Sequence, residues 1–242
     1  MPNERPPPLD GDRHALFLDF DGTFVDFAPE PDAIVLRPGS IDRLAALSRR
    51  LSGALALVSG RKIADLDRFL APLQLPAAGV HGQEFRPAPG DLRVQPASPE
   101  LDEARRRLAG LIMAADPLLV EDKGGALVLH YRKHPEQRGR AEALAHEAVA
   151  GLSALHALPG HAIVEIRQHG ISKAGALKLF AAMPPFSGRH PVFIGDDTTD
   201  EDGFRAAREA DGFGVKVGPG STAAFYRLPD VSAVHAWLDG LL

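Results

Sequence analysis

Continuous apolar runs and amphipathic stretches alternate along most of the chain. Residues 15–20, ALFLDF, are apolar up to an acid near the end, the pattern of a strand buried on both faces. RPGSIDRLAALSRRLSG (37–53) predicts a helix, because Ile41, Leu44, Leu47 and Leu51 fall on one face and Gly53 stops it. ALALVSG (54–60) is a second apolar run, RKIADLDRFLAPL (61–73) a second amphipathic helix, and AAGVHG (77–82) leads into a third short strand. Strand, helix, strand at this spacing predicts parallel strands joined by crossover helices.

The middle of the chain has a different rhythm. GDLRVQ (90–95), LLVEDKGGALVLHYR (118–132) and HAIVEIR (161–167) predict short strands, with DKGG as a turn inside the second stretch. Helical patterns lie near 99–115 and 135–151, so this segment predicts an α+β unit with an antiparallel sheet. After residue 171 the first rhythm returns: SKAGALKLFAAM as a helix, PVFIG as a buried strand, DEDGFRAAREA as a helix, GFGVKVG as a strand and SAVHAWLDGLL as a closing helix. The expected organisation is an α/β, Rossmann-like parallel-sheet core at 14–85 and 170–242, interrupted by an α+β domain at 86–169. The polar, Pro-rich residues 1–13 read as a loose tail.

Composition narrows the function classes. The 242 residues are 45% hydrophobic and 24% charged, ordinary for a folded domain. A formal net charge of -5 gives no general affinity for nucleic acid or for an anionic membrane. Cysteine is absent, which excludes disulfides and thiolate chemistry and fits a reducing cytoplasm. No segment has the apolar core of a secretion signal or the length of a membrane span, so a cytoplasmic location is expected.

Four clusters carry candidate chemistry. In Asp19-Phe20-Asp21-Gly22-Thr23 the two acids are separated by two positions, about 6.6 Å in an extended strand, and point the same way. They can face one pocket, although Asp-Gly between apolar runs is also a hairpin signal. Val58-Ser59-Gly60-Arg61 ends a strand and opens a helix. An ordinary cap explains Ser59, and an anion site built from its hydroxyl and the helix-start N–H groups is the alternative. Lys173, beside Ser172 at another helix start, is a cation placed against the helix dipole, as it would be if it neutralised a bound phosphate.

The fourth cluster is the most specific. Gly195-Asp196-Asp197-Thr198-Thr199-Asp200-Glu201-Asp202 holds five carboxylates in seven positions after a buried strand. Acids at a helix start account for Asp200, Glu201 and Asp202, but Asp196 and Asp197 continue a strand edge. Crowded carboxylates call for a cation, and Mg²⁺ suits one or two carboxylates together with a substrate phosphate. The spacing Thr198, Asp200, Asp202, Gly203, Glu209 approaches a calcium loop but lacks the first acid and the preceding helix. HExxH and paired-Cys zinc patterns are absent, and so is a Walker loop.

All four clusters fall at strand ends or at the helix starts that follow, and in an open parallel sheet such ends converge on one crevice. The set suits phosphoryl transfer to a carboxylate. Asp19 would be the nucleophile, Asp21 the acid and then the base, Mg²⁺ the counter-charge, and Ser59 and Lys173 the groups holding phosphoryl oxygens.

DFDGT, VSGR, the Lys of GISKAGAL and GDDTTDED resemble the motifs of the haloacid dehalogenase superfamily of phosphatases. GVHG, LHYR and VEIR, with VEIRQHGISKAGAL and PVFIGDDTTDEDGF, are similar to its trehalose-phosphatase branch, over nearly the whole chain after the tail. The resemblance implies a haloacid dehalogenase-type core with a mobile cap at 86–169. It implies Mg²⁺ held by Asp19, the Asp21 carbonyl and Asp196, with Asp197 and Asp200 supporting. Phosphate would be held by Gly22, Ser59, Gly60 and Lys173. Arg61, His81, Gly82, Lys123, His130, Arg132, Glu165 and Arg167 are the candidates for substrate contact. The implied partner is a small molecule, trehalose 6-phosphate, with no nucleic acid and no membrane, acting on a monomer. A phosphatase for sucrose phosphate or mannosyl-phosphoglycerate is the alternative enzyme. An inactive sugar-phosphate sensor is the alternative of another class, opposed by the presence of both Asp19 and Asp21. Phe24, Ala174 and RQHG (167–170) depart from the family pattern, the last of them at the join between cap and core.

Overall fold

The first apolar run forms the middle of a sheet. In the computed structural model, which describes residues 5–28, 32–113, 116–160 and 162–242, β1 (His14–Leu18) buries Leu16, Phe17 and Leu18 completely. Burying such a side chain contributes about 1.5–3 kcal/mol. α1 (Ser40–Arg50) follows, placing Leu44 and Leu47 in the core. β2 (Leu55–Val58) is parallel to β1, and α2 (Ile63–Leu70) leads to β3 (Ala77–Gly79), parallel to β2. β4 (Glu84–Arg86) turns back antiparallel to β3, and β5 (Arg93–Val94) ends this half. Glu84 accepts a 2.6 Å hydrogen bond from the Ile63 N–H, so the start of α2 is capped by the neighbouring strand.

α3 (Pro99–Leu111) begins at Ser98, whose hydroxyl accepts from the Glu100 N–H at 3.0 Å. β6 (Leu119–Asp122), β7 (Ala126–His130), α4 (Arg138–Val149), β8 (Leu155–Gly160) and β9 (Ile163–Gln168) complete the insert. Its strands form an antiparallel sheet in the order β6-β7-β9-β8. Leu127, Leu129, Val164 and Ile166 share an apolar cluster with Leu101, Leu108, Ala141 and Ala145 of the two helices.

The chain then continues the first sheet through α5 (Lys173–Ala181), β10 (His190–Gly195), α6 (Glu201–Glu209), β11 (Phe213–Val217), β12 (Tyr226–Leu228) and α7 (Val231–Asp239). The order of the eight-stranded sheet is β12-β11-β10-β1-β2-β3-β4-β5. All neighbours from β12 to β3 are parallel, and β1 lies between β10 and β2. Two compact units result, Met1–Arg93 with Ser172–Leu242, and Val94–Ile171. Among the described residues no helix is long and apolar enough to cross a membrane.

Several elements differ from the sequence pattern. β4 pairs with β3, so residues 86–93 lie in the first unit, where the pattern begins the insert at 86. The stretch read as a loose tail is partly docked. Leu9 is buried, and Trp237 donates to the Pro6 carbonyl at 3.1 Å; residues 1–4 lie outside the described residues. β8 and β12 carry no strand pattern. β8 contains Pro159, which it tolerates as an edge strand. After Asp21 the chain forms a tight loop, with Gly22 N–H bonded to Val25 O at 2.8 Å and Phe24 N–H to Phe20 O at 2.9 Å, where a hairpin was the other possibility. The last residues of the 99–115 helix pattern, 114–115, and the first of the 161–167 strand pattern, His161, lie outside the described residues.

Candidate active site

β1 and β10 are parallel neighbours, so the acids that follow them emerge at the same sheet edge. Carboxylate oxygens of Asp19, Asp196 and Asp200 all lie within 4.8 Å of one another. Lys173 Nζ joins two of them, donating to Asp19 Oδ1 at 2.7 Å and to Asp200 Oδ1 at 2.6 Å. Thr23 Oγ1 donates to Asp196 Oδ1 at 3.1 Å. The backbone N–H groups of Asp196 and Asp197 donate to Asp200 Oδ2 at 3.1 and 2.9 Å. Gly22 has φ +77°, and a Cβ there would overlap the Asp196 carboxylate, so only glycine lets the loop approach this closely.

Burial sets the electrostatics. Asp19 and Lys173 are 4% and 3% exposed, and Asp200 is fully buried. Burial pushes the Asp19 carboxyl well above the usual carboxylate range. Lys173 pulls it back, while Asp200 and Asp196 push it further up. Burial and then the charge on Asp200 raise Asp196 to about 6. At Lys173 burial works against the charge, but Asp19 and Asp200 outweigh it and raise the ammonium pKa. The donor set is hard oxygen, which fits Mg²⁺.

The roles of two acids are exchanged relative to their sequence pattern. Asp200, explicable as a helix-start acid, is the fully buried partner of Lys173. Asp197, which lacked that explanation, forms a capping box with Asp200 around the turn at 198–200. Ser172 caps α5 through the Gly175 N–H at 3.1 Å, which places Lys173 at the first helical position and turned inward.

Asp21 has a different partner. Arg61 grips it with both prongs, Nε to Oδ2 at 2.7 Å and Nη2 to Oδ1 at 2.8 Å. The same guanidinium lies over Phe20 and Phe69, at 6.0 and 5.1 Å from the ring centroids. Ser59 is buried, and its hydroxyl accepts from the Arg61 N–H at 3.1 Å; because α2 begins only at Ile63 with Lys62 before it, this is a turn two residues long and not the helix cap that the sequence pattern offered. The GVHG turn lies against this loop. His81 N–H donates to Ser59 O at 3.0 Å and Val80 N–H to Arg61 O at 2.9 Å, while a Cβ on Gly60 would strike the His81 ring. Val80, His81 and Gly82 all have positive φ, at 47°, 56° and 115°. For a β-branched Val this is strained backbone, of the kind that clusters at functional sites.

The candidates in the inserted unit form their own group. Glu165 and Arg167 are each 3% exposed, where the strand alternation predicts a half-exposed face. They lie on the sheet face opposite Val164 and Ile166, in register with Val128 and Ala126. Arg167 Nε donates to His156 Nε2 at 3.4 Å, and His130 Nε2 pairs with Glu121 Oε2 at 2.8 Å. Lys123 occupies the turn between β6 and β7, and Arg132 follows β7.

The sequence pattern missed Thr23 and Lys216. Thr23 lies within a recognised motif, and its complete burial marks it only in three dimensions. Lys216 had a visible signal, a charge inside the apolar strand GVKV. Its Nζ donates to the Asp196 carbonyl.

Comparison with known proteins identifies the family. The family model described as Trehalose-phosphatase matches residues 17–232. The trehalose-6-phosphate phosphatase of Escherichia coli (strain K12) is 37% identical over 232 residues, covering 94% of this chain and 86% of that protein. The C-terminal domain of the Candida albicans trehalose-6-phosphate phosphatase superposes with a TM-score of 0.83 at 20% identity, over 95% of this chain and 92% of that one. A phosphatase of the haloalkanoate (HAD) enzyme superfamily from Bacteroides thetaiotaomicron superposes with a TM-score of 0.63 at 20% identity, over 98% of this chain and 99% of that one. The two superpositions establish the shared α/β core, and the sequence match establishes that this chain belongs to the trehalose-phosphatase family.

Proposed function

We propose that the chain hydrolyses trehalose 6-phosphate to trehalose and phosphate through an aspartyl-phosphate on Asp19. The observation that carries the reading is the Lys173 bridge between Asp19 and Asp200, with Asp196 in the same cluster. The arrangement places a buried carboxylate, a fixed ammonium and two further carboxylates at one strand edge.

Asp19 attacks phosphorus as the bond to the sugar oxygen breaks. Asp21, released from the Arg61 fork and protonated, gives its proton to that oxygen, and the resulting Asp21 carboxylate then takes a proton from the water that attacks the phosphoenzyme. Inorganic phosphate leaves and Asp19 is restored. Lys173 and the Ser59 hydroxyl bind phosphoryl oxygens and offset charge that builds in the transition state. Asp19, Asp196 and the Asp21 carbonyl would hold Mg²⁺, supported by Asp200. When bound, the ion supplies the positive charge that lets a phosphate approach a carboxylate. The inserted unit serves as a cap in this reading, with Glu165, Arg167, Lys123, His130 and Arg132 as its sugar-reading groups.

The test is a panel of phosphorylated sugars assayed for phosphate release with and without Mg²⁺. The reading expects Mg²⁺-dependent release from trehalose 6-phosphate, and loss of turnover in Asp19→Asn. Equal rates on sucrose phosphate would remove the substrate assignment, and full activity in Asp19→Asn would remove the covalent step.

A further inference from the structure

β11 is apolar except at one position. Lys216 lies between Val215 and Val217 and is 6% exposed. Its Nζ donates to the Asp196 carbonyl and to the Val217 carbonyl, the latter at 2.7 Å. A parallel strand with both neighbours in place is best served by an aliphatic side chain, and burying an amine costs desolvation. The two carbonyl partners offset part of that cost, but packing alone gives no reason for the amine.

The geometry around Asp196 gives one. Gly195 of β10 is in register with Lys216, so the lysine side chain reaches past the end of β10 to the peptide after Asp196. That peptide is held at both ends. Its carbonyl accepts from Lys216, and its N–H, on Asp197, donates to Asp200 Oδ2 at 2.9 Å. Because the peptide is planar, holding both ends stops its rotation and sets ψ of Asp196. The Asp196 N–H donates to the same Asp200 oxygen at 3.1 Å, which sets φ. With both backbone torsions held, the Cα–Cβ bond of Asp196 has a fixed direction, and the Thr23 hydroxyl then holds its carboxylate in the cluster with Asp19 and Asp200.

We propose that Lys216 is a positioning residue of the metal site, holding the Asp196 peptide so that its carboxylate meets a divalent cation without reorganisation. The inference rests on reading the carboxylate cluster as a Mg²⁺ site. Groups that orient a metal ligand from behind typically carry 10–100-fold in affinity.

Calorimetric titration of Mg²⁺ alone into the wild-type chain and into Lys216→Met tests it. Met keeps the unbranched apolar stem of the side chain as far as Cε and removes the ammonium donors. The expected result is a Mg²⁺ dissociation constant raised about tenfold or more, with turnover recovered at excess Mg²⁺. A role confined to fold stability would lower the unfolding midpoint and leave the dissociation constant unchanged, and that outcome overturns the proposal. Absence of Mg²⁺ binding by the wild-type chain overturns both the metal reading and this inference, whereas equal binding by the two proteins overturns this inference alone. Should Lys216→Met not fold, the Lys216 Nζ resonance of the ¹⁵N-labelled wild-type chain is followed during Mg²⁺ addition. A change in that signal at saturation supports the contact, and an unmoved signal overturns it.

Discussion

Lys173 Nζ lies 2.7 Å from Asp19 Oδ1, with both side chains almost removed from water, at 3% and 5% exposure. The same nitrogen holds Asp200. This lysine therefore serves both stability and chemistry. Lys173→Ala leaves two buried carboxylates without their cation, which costs about 3–5 kcal/mol in a site of this kind. Denaturant unfolding in Mg²⁺-free buffer measures it. Turnover should fall by roughly 10²–10³-fold, the usual cost of removing one donor to developing charge. An unfolding curve that superimposes on the wild-type curve would show that the bridge carries no stability.

The Arg61 fork on Asp21 predicts a second effect. Lys cannot reproduce two parallel hydrogen bonds or the flat contact with Phe69. Arg61→Lys should lower kcat on the sugar phosphate, because Asp21 is then held less firmly. Asp21→Asn should lower it by roughly 10²–10⁴-fold, the range of general acid–base catalysis. If Arg61 instead reads the substrate directly, the substitution raises KM and spares kcat, so steady-state kinetics separate the two roles.

Gly22→Ala is expected to be severe. Positive φ costs an L-residue about 1–2 kcal/mol, and the added methyl would also displace the Asp196 carboxylate. The variant should lose both stability and Mg²⁺ affinity, read from thermal unfolding with and without the ion. Stabilisation by Mg²⁺ equal to that of the wild type would show that the loop does not need this approach.

His235 makes stability depend on pH. Its Nε2 donates to the Phe24 carbonyl at 2.8 Å, and its Nδ1 accepts from Arg43 Nη1 at 3.1 Å, so the neutral ring fits and a second proton would meet a cation. Burial lowers its pKa. The Phe24 bond opposes that shift, and the charges of Arg43 and Arg37 add to it. The unfolded chain therefore takes up a proton more readily than the fold does. The stabilising contribution is present above the ordinary histidine value of about 6.5 and is lost as the pH falls from there toward the lowered folded value. His14 and His156 are shifted the same way by burial, so His235→Gln should flatten the acid side of a denaturant-midpoint profile only in part. A profile as steep as that of the wild type would remove His235 from this account.

The fold was readable where hydrophobic period and length agreed. Leu44, Leu47 and Leu51 mark the core face of one helix, and the runs that become β1, β2 and β10 are continuous because parallel strands are covered on both faces. Reading failed where pairing came from distant partners. β8 became a strand by lying along β9, although LHALPG has no alternation and contains a proline. Pro6 and Leu9 sit in a polar, Pro-rich stretch, yet Leu9 joins the main apolar cluster and Trp237, far along the chain, donates to the Pro6 carbonyl.

The candidate site divides in the same way. Residue identity and local spacing determined that Asp19, Asp196 and Lys173 would end strands or begin helices, because strand periodicity, glycine stops and helix starts are local properties of the chain. The tertiary structure decided which acid meets which cation. Asp200 went to Lys173, Asp197 to a capping turn, and Asp21 to Arg61. It also brought Lys216 to the Asp196 carbonyl, since that contact depends on the register between two strands. Charge pairing in a dry site depends on distance and burial through space, and neither is encoded by position along the chain.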